Sequence, residues 1–249
     1  MLEKSSPTPL YVQLKELIRR QIENGFYEEG KAIPSERELC RAYGVSRMTV
    51  RQAIAEAASE GLLFTRHGKG TYVAKRKIDQ ALDRITGFDK TMAGHGLLPV
   101  TSLVDVRRVP AGEEIAAALK VQKGISVVKM VLVGMANGEP MALYTSYFTP
   151  ELGVPMGEKA AELSRQGRAF TSFDLYALVD GTKPARARQT FEAALLRGAA
   201  ARLLRLKEPT AVFVVTSVVE DERGNPVEYR IVHYRGDRYR FSVTREVAD

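Results

Sequence analysis

Arg47 and Arg51, with Ser46 and Thr49 beside them, crowd into the six residues SRMTVR, shortly after Gly44. Guanidinium groups can bond guanine edges in bidentate fashion or clamp phosphates. Hydroxyls add phosphate bonds, and the first turn of a helix directs free N–H groups and a positive dipole end at an anion. On the leading turns of one helix, this set could read a DNA groove. The same two arginines, four apart, would equally make an ordinary solvated helix face. The neighbouring elements decide between the two.

Those elements form a scaffold. In PLYVQLKELIRRQIENG, Leu10, Leu14, Leu17, Ile18 and Ile22 recur at helical spacing, and Asn24-Gly25 ends the run. Pro34-Ser35 starts a second helix, in which Ser35 caps and Glu38 completes a capping box. Gly44 supplies the turn. Ser46 caps a third helix, with Val45 and Val50 at staple positions and Val50, Ile54 and Ala57 on the apolar face. Arg47, Thr49 and Arg51 fall off that face. Leu62–Arg66 and Thr71–Ala74 read as two short strands joined by His67-Gly68-Lys69-Gly70. Helix, helix-turn-helix and hairpin in this order make a winged helix-turn-helix, and that order favours the DNA reading. His67 reads as a hairpin-tip residue. No Cys or His stands near it in the sequence, which argues against a metal role.

The bulk composition agrees. The chain has 249 residues, 45% hydrophobic and 27% charged, an ordinary globular balance. Its net charge is +7, and residues 1–78 carry 14 Lys+Arg against 9 Asp+Glu while residues 79–249 carry 23 against 21. The excess therefore sits on the segment with the helix-turn-helix, as an acidic partner would require. Cys40 is the single cysteine, so no intrachain disulfide forms. The first ten residues lack the apolar core of a signal peptide, and no apolar run approaches the ~18–20 residues of a membrane helix. A cytoplasmic protein with no membrane partner is expected.

PLYVQLKELIRRQIENG, IPSERELCRAYGVSRMTVRQAI and EGLLFTRHGKGTYVA closely resemble the DNA-binding domain of GntR-type bacterial transcription regulators, across nearly all of Pro9–Ala74. The resemblance implies a homodimer on a palindromic double-stranded DNA operator. It implies DNA contacts from Arg37, Arg47 and Arg51, a backbone contact from Thr49, and a wing tip at His67-Gly68 that enters the minor groove. Lys69 is a further phosphate contact on charge alone, and Ser46 another on its hydroxyl.

Beyond residue 74 the pattern changes. Residues 75–84 read as a linker beginning with the charge run Lys75-Arg76-Lys77. TSLVDVRRV alternates as a strand, and AGEEIAAALKV reads as a helix. SVVKMVLVGMANGEPMALYTSYFT reads as two strands about Asn137-Gly138, and TAVFVVTSVVEDERGNPVEYRIVHYRG as a second hairpin about Gly224-Asn225. MGEKAAELSRQG and SFDLYALVD read as short helices, and ARARQTFEAALLRGAAARLLRL as one or two helices broken at Gly198. YRFSVTREV is a last strand. The expected domains are thus 1–74, a linker 75–84, and 85–249 as an α+β effector-binding and dimerisation domain with a mostly antiparallel sheet.

ANGEPMALYTSYFTPEL and DERGNPVEYRIVHYRGDRYRFSV resemble the effector-binding domain of the HutC-like branch of the same family, whose fold is shared with chorismate lyase. The resemblance implies a small-molecule effector and places Glu228, Tyr234 and Ser172 at ligand-contacting positions. Glu228 and Tyr234 are six apart, so a strand puts them on one face, where a carboxylate and a phenol can grip a polar ligand. The alternative is a core Tyr234, with Glu228 paired to Arg230 or Arg238. Relatives that bind phosphorylated sugars carry arginines where this chain has Leu132 and Gly134, and an acid where it has Tyr144. A less anionic or partly aromatic ligand, touching Tyr144, fits this pattern better.

A ligand-responsive repressor is the function these features favour. A lyase-like enzyme is the first rival, but His67, His95 and His233 are the only histidines and no catalytic triad spacing, metal motif or P-loop appears. No cofactor is expected. A constitutive architectural DNA binder is the second rival.

Overall fold

The computed structural model describes every residue except 1, 4, 67, 75, 76, 84, 180, 181 and 246–249. The chain divides into two compact units, Met1–Arg76 and Lys77–Asp249.

In the first unit, α1 (Leu10–Glu23), α2 (Glu36–Tyr43) and α3 (Arg47–Ser59) precede the antiparallel strands β1 (Leu63–Arg66) and β2 (Gly70–Val73). Both expected caps form. Ser35 and Glu38 complete a capping box on α2, and Ser46 accepts a bond from the Thr49 N–H on α3. Gly44 closes α2 at φ +62°, a left-handed conformation that glycine adopts without strain. Leu14, Ile18, Leu39, Val50, Ile54, Ala57, Leu63 and Val73 make one core, so all three helices and the hairpin bury their apolar sides together.

The second unit is built on a six-stranded antiparallel sheet ordered β4-β5-β6-β9-β8-β7. Its strands are β4 (Pro99–Pro110), β5 (Ser126–Ala136), β6 (Glu139–Phe148), β7 (Pro184–Leu196), β8 (Thr210–Asp221) and β9 (Pro226–Arg235). One face carries the main core, with α4 (Phe88–Gly94), α6 (Pro150–Arg165) and α7 (Ser172–Tyr176) contributing Phe88, Met156, Ala160 and Leu175. The other face carries two smaller clusters, with α5 (Glu113–Leu119) and α8 (Gly198–Leu203). Helix α6 lies close on the sheet because it presents Gly153 and Gly157. A Cβ at Gly153 would stand 2.5 Å from Val128 Cβ, and one at Gly157 2.7 Å from Val106 Cγ2.

The structure departs from the sequence expectations in four places. Residues 185–196, expected as helix, lie in the edge strand β7, paired with β8 from Pro184↔Asp221 to Leu196↔Thr210. Alanine and leucine favour helix, but completing the hydrogen-bond ladder of β8 outweighs that local preference. Residues 78–81, inside the expected linker, form β3 (Ile78–Ala81), which pairs in parallel with β10 (Tyr239–Ser242). That pairing spans some 160 residues of chain, so no local pattern announces it. The final strand is accordingly short and stands outside the main sheet. Helix α6 begins at Pro150 and runs through Pro155, rather than starting at Met156, because its first turns are anchored by buried Leu152 and Gly153.

Candidate nucleic-acid interface and effector cavity

The recognition surface is positioned from behind. Val50, Ala53, Ile54 and Ala57 bury one side of α3. Lys15 of α1 reaches Glu60 at 2.6 Å, and Arg19 pairs with the same carboxylate, which they hold below the usual glutamate range. The opposite side of α3 is open, with the Arg47 and Arg51 side chains 77% and 64% exposed. Both lean on Glu36 of α2. Arg47 Nε donates to its carboxylate at 3.0 Å, and Arg51 Nε stands 3.8 Å away. Arg37 is exposed on the same helix as Glu36. The Ser46 and Thr49 hydroxyls, 2.8 Å apart, are engaged in the helix cap.

The wing is stiffened by its aromatics. Phe64 and Tyr72 stack with centroids 5.5 Å apart, Arg66 lies over both rings, and the Tyr72 hydroxyl donates to Lys69 O at 3.0 Å. Gly68 and Lys69 are exposed at the turn. His67, expected at the tip, lies outside the described residues.

One outward residue escaped the sequence reading. Met48 is 74% exposed beside Arg47. An apolar side chain there suits a thymine methyl in the major groove. Its signal was its place off the Val50–Ile54–Ala57 face.

In the second unit the strand registers bring Tyr144 and Tyr234 together. Ala142 faces Tyr234 and Tyr144 faces Val232, so the two tyrosines are diagonal neighbours on one sheet face. Their rings meet edge to face, 6.3 Å apart, and burial raises both phenol pKa values, so both stay protonated near neutrality. Tyr234 lines two adjoining cavities of about 50 and 30 Å³, and Tyr144 the smaller. Gln80 of β3, Ile85 and Thr86 line both, as does Arg230 of β9.

Glu228 and Ser172 lie elsewhere. Glu228 is fully buried, and its carboxylate accepts from Ser146 at 2.6 Å, Ser172 at 3.0 Å and Tyr176 at 3.4 Å. Burial, and then the Glu228 charge, drive the Tyr176 pKa upward, which keeps it a donor. Neither Glu228 nor Ser172 is among the residues lining the two cavities. Ser172 instead links Glu228 to the cavity, because Arg230 Nη1 donates to the same Oγ at 3.3 Å. The alternative pairing of Glu228 with Arg230 or Arg238 is replaced by this hydroxyl cluster. Arg238 pairs with Glu139 at 2.9 Å. Leu132 is buried, and the Phe88 ring sits over Gly134 so closely that a Cβ there would meet it at 2.9 Å. Phe88 thus covers the sheet face at Gly134.

A winged helix with a cationic outward face, joined to a sheet domain with a buried aromatic cavity, defines a ligand-sensing DNA-binding regulator. Residues 10–73 match the family model of bacterial regulatory proteins of the gntR family, and residues 94–240 match the UTRA domain. The chain belongs to the GntR family of transcription regulators and carries a UTRA effector-binding domain. It is 34% identical over 240 residues to the HTH-type transcriptional repressor NagR of Bacillus subtilis, covering 96% of each chain. It is 28% identical to the histidine utilization repressor of Pseudomonas putida, over 94% of this chain and 91% of that one. Among solved structures, PhnF from Mycobacterium smegmatis superposes with a TM-score of 0.66 at 25% identity, covering 96% of this chain and 99% of that one. These are transcriptional regulators, not enzymes. No helix among the described residues is long and apolar enough to cross a membrane.

Proposed function

We propose that the protein is a repressor that binds a palindromic operator as a homodimer and is released or re-oriented when a small metabolite fills the Tyr144–Tyr234 cavity. Repression is the activity that the names of the Bacillus and Pseudomonas relatives carry. Arg37, Arg47 and Arg51 are assigned to DNA, with Ser46 and Thr49 at the helix start and His67, Gly68 and Lys69 at the wing. Tyr144 and Tyr234 are assigned to the effector, and Glu228 and Ser172 to holding the cavity wall. Dimerisation is supported by β7, an edge strand with Phe191 and Leu195 exposed, since long open edges invite pairing.

The observation that carries the reading is the position of β3. Gln80 and Ala81 line the effector cavity, while Ile78 follows the DNA-binding unit by two residues of chain. A ligand that shifts β3 acts directly on the start of the tether. Moving the equilibrium from 1:99 to 99:1 requires about 10⁴-fold tighter ligand binding to the released state.

The test selects an operator from a random duplex library and measures its affinity across a panel of small acids, sugars and amino-acid catabolites. A metabolite that weakens binding severalfold, and fails to do so in Tyr234→Ala, supports the mechanism. DNA binding indifferent to every compound would leave a constitutive DNA binder.

A further inference from the structure

Arg230 is 5% exposed, yet no carboxylate pairs with it among the described residues. Its guanidinium lies over the Phe173 ring, 4.6 Å from the centroid, and Nη1 donates to Ser172. Its buried Nε has no hydrogen-bond partner among the described residues. Tyr239, 1% exposed, likewise buries a hydroxyl with no hydrogen-bond partner among the described residues. Buried donors left unmade are costly and rare, and a bound ion is one of the things that satisfies them. Arg230 and Tyr239 both line the 30 Å³ cavity. Two residues, each with an unsatisfied buried donor, therefore line one small space.

The two adjoining cavities differ in chemistry. The smaller holds Arg230, Tyr239 and the hydroxyl-bearing Thr91 and Thr171. The larger is walled by Leu82, Phe191, Val215 and Phe241. Both include Arg230 and Tyr234, so a single small molecule can reach from one to the other.

We propose that Arg230 Nε and the Tyr239 hydroxyl form an oxyanion subsite, so that the effector is a compact carboxylate or phosphoryl compound with a short apolar body. The charged head takes the smaller cavity and the body the larger. Arg230 replaces, from β9, the cation that Leu132 and Gly134 do not supply on β5. It differs from the sequence expectation of a less anionic ligand, which counted only the β5 and β6 positions. The proposal rests on the reading of this cavity as the effector site and adds the ligand's charge.

The test titrates the full chain with sodium isobutyrate, inorganic phosphate and neutral isobutyramide at matched ionic strength, and follows the melting temperature. A saturable rise with isobutyrate, or with phosphate, and none with isobutyramide is expected. Isobutyrate ahead of phosphate identifies a carboxylate head, and the reverse order a phosphoryl head. Arg230→Gln should weaken the anion at least tenfold. Because that change can disturb folding, Tyr239→Phe provides a second arm. It should weaken the anion severalfold while the free protein melts no lower, since the lost hydroxyl has no partner. Anion affinity unchanged in both variants, or no saturable anion effect in the wild type, overturns the proposal. If a neutral metabolite released the operator through Tyr234, the regulator reading would stand and only the anionic assignment would fall.

Discussion

Glu36 offers the sharpest perturbation of the DNA-binding face. In the free protein its carboxylate holds Arg47 Nε at 3.0 Å and stands 3.8 Å from Arg51 Nε. If both arginines serve DNA, each must give up this partner on binding. The arginines are mostly exposed, so the pairs lie in the weak regime of about 0.2–1 kcal/mol each, with the longer one at the bottom of that range. Glu36→Gln removes the competing charge and keeps the shape. The expected gain is about 0.5–1 kcal/mol, a two- to fivefold tighter affinity for any duplex. The gain should shrink as added salt screens the pairs. Loss of an acid from the first turn of α2 costs about 0.3–1 kcal/mol of stability, which a melting curve reads separately. Fluorescence anisotropy with a labelled random duplex at low salt measures the affinity. Unchanged or weaker binding in Glu36→Gln would refute the reasoning. It would mean that Glu36 orients the arginines, or that they do not meet DNA.

Three other outcomes follow from the geometry. Met48→Ala should leave affinity for random duplexes nearly intact while relaxing preference at one thymine by about 1 kcal/mol, read by operator selection. Gly153→Ala forces a methyl to 2.5 Å from Val128 Cβ and should destabilise the second unit by about 1–3 kcal/mol in thermal melts. Burial holds the His233 imidazole pKa below its usual value, so folding opposes protonation. Its contribution is complete above about pH 6.5, the unfolded value, and is lost as pH falls below it. The melting temperature should drop on acidification through that point, and His233→Gln should flatten the drop.

The legible parts of the fold were those whose cause is local. Ser35 with Glu38, Ser46 with Thr49, and Gly44 between them act within a few residues, so the helix-turn-helix was readable as written. The turns at Asn137-Gly138 and Gly224-Asn225 likewise set two long hairpins. Strand β7 was hidden because its Ala- and Leu-rich residues take their conformation from β8. Strand β3 was hidden because its partner β10 is far along the chain. In the cavity, period-two spacing correctly placed Glu228 and Tyr234 on one face but could not rank depth. Tyr234 reaches the cavity, while Glu228 is sealed beneath Ser146, Ser172 and Tyr176. Arg230 lies on that same face, but only the packing of Phe173 and Ser172 around it shows a cation without a carboxylate partner among the described residues, at a cavity wall.

The outward side of α3 is assigned to DNA, and Arg47→Gln with Arg51→Gln tests that assignment most directly. Each arginine that reads a base should cost about 1–3 kcal/mol, and each that binds phosphate should lower the salt slope by about one. Because both side chains are largely exposed, the double variant should keep the melting temperature of the wild type. A tenfold or greater loss of duplex affinity in a stably folded protein is the predicted result. Full affinity with an unaltered salt response would contradict it.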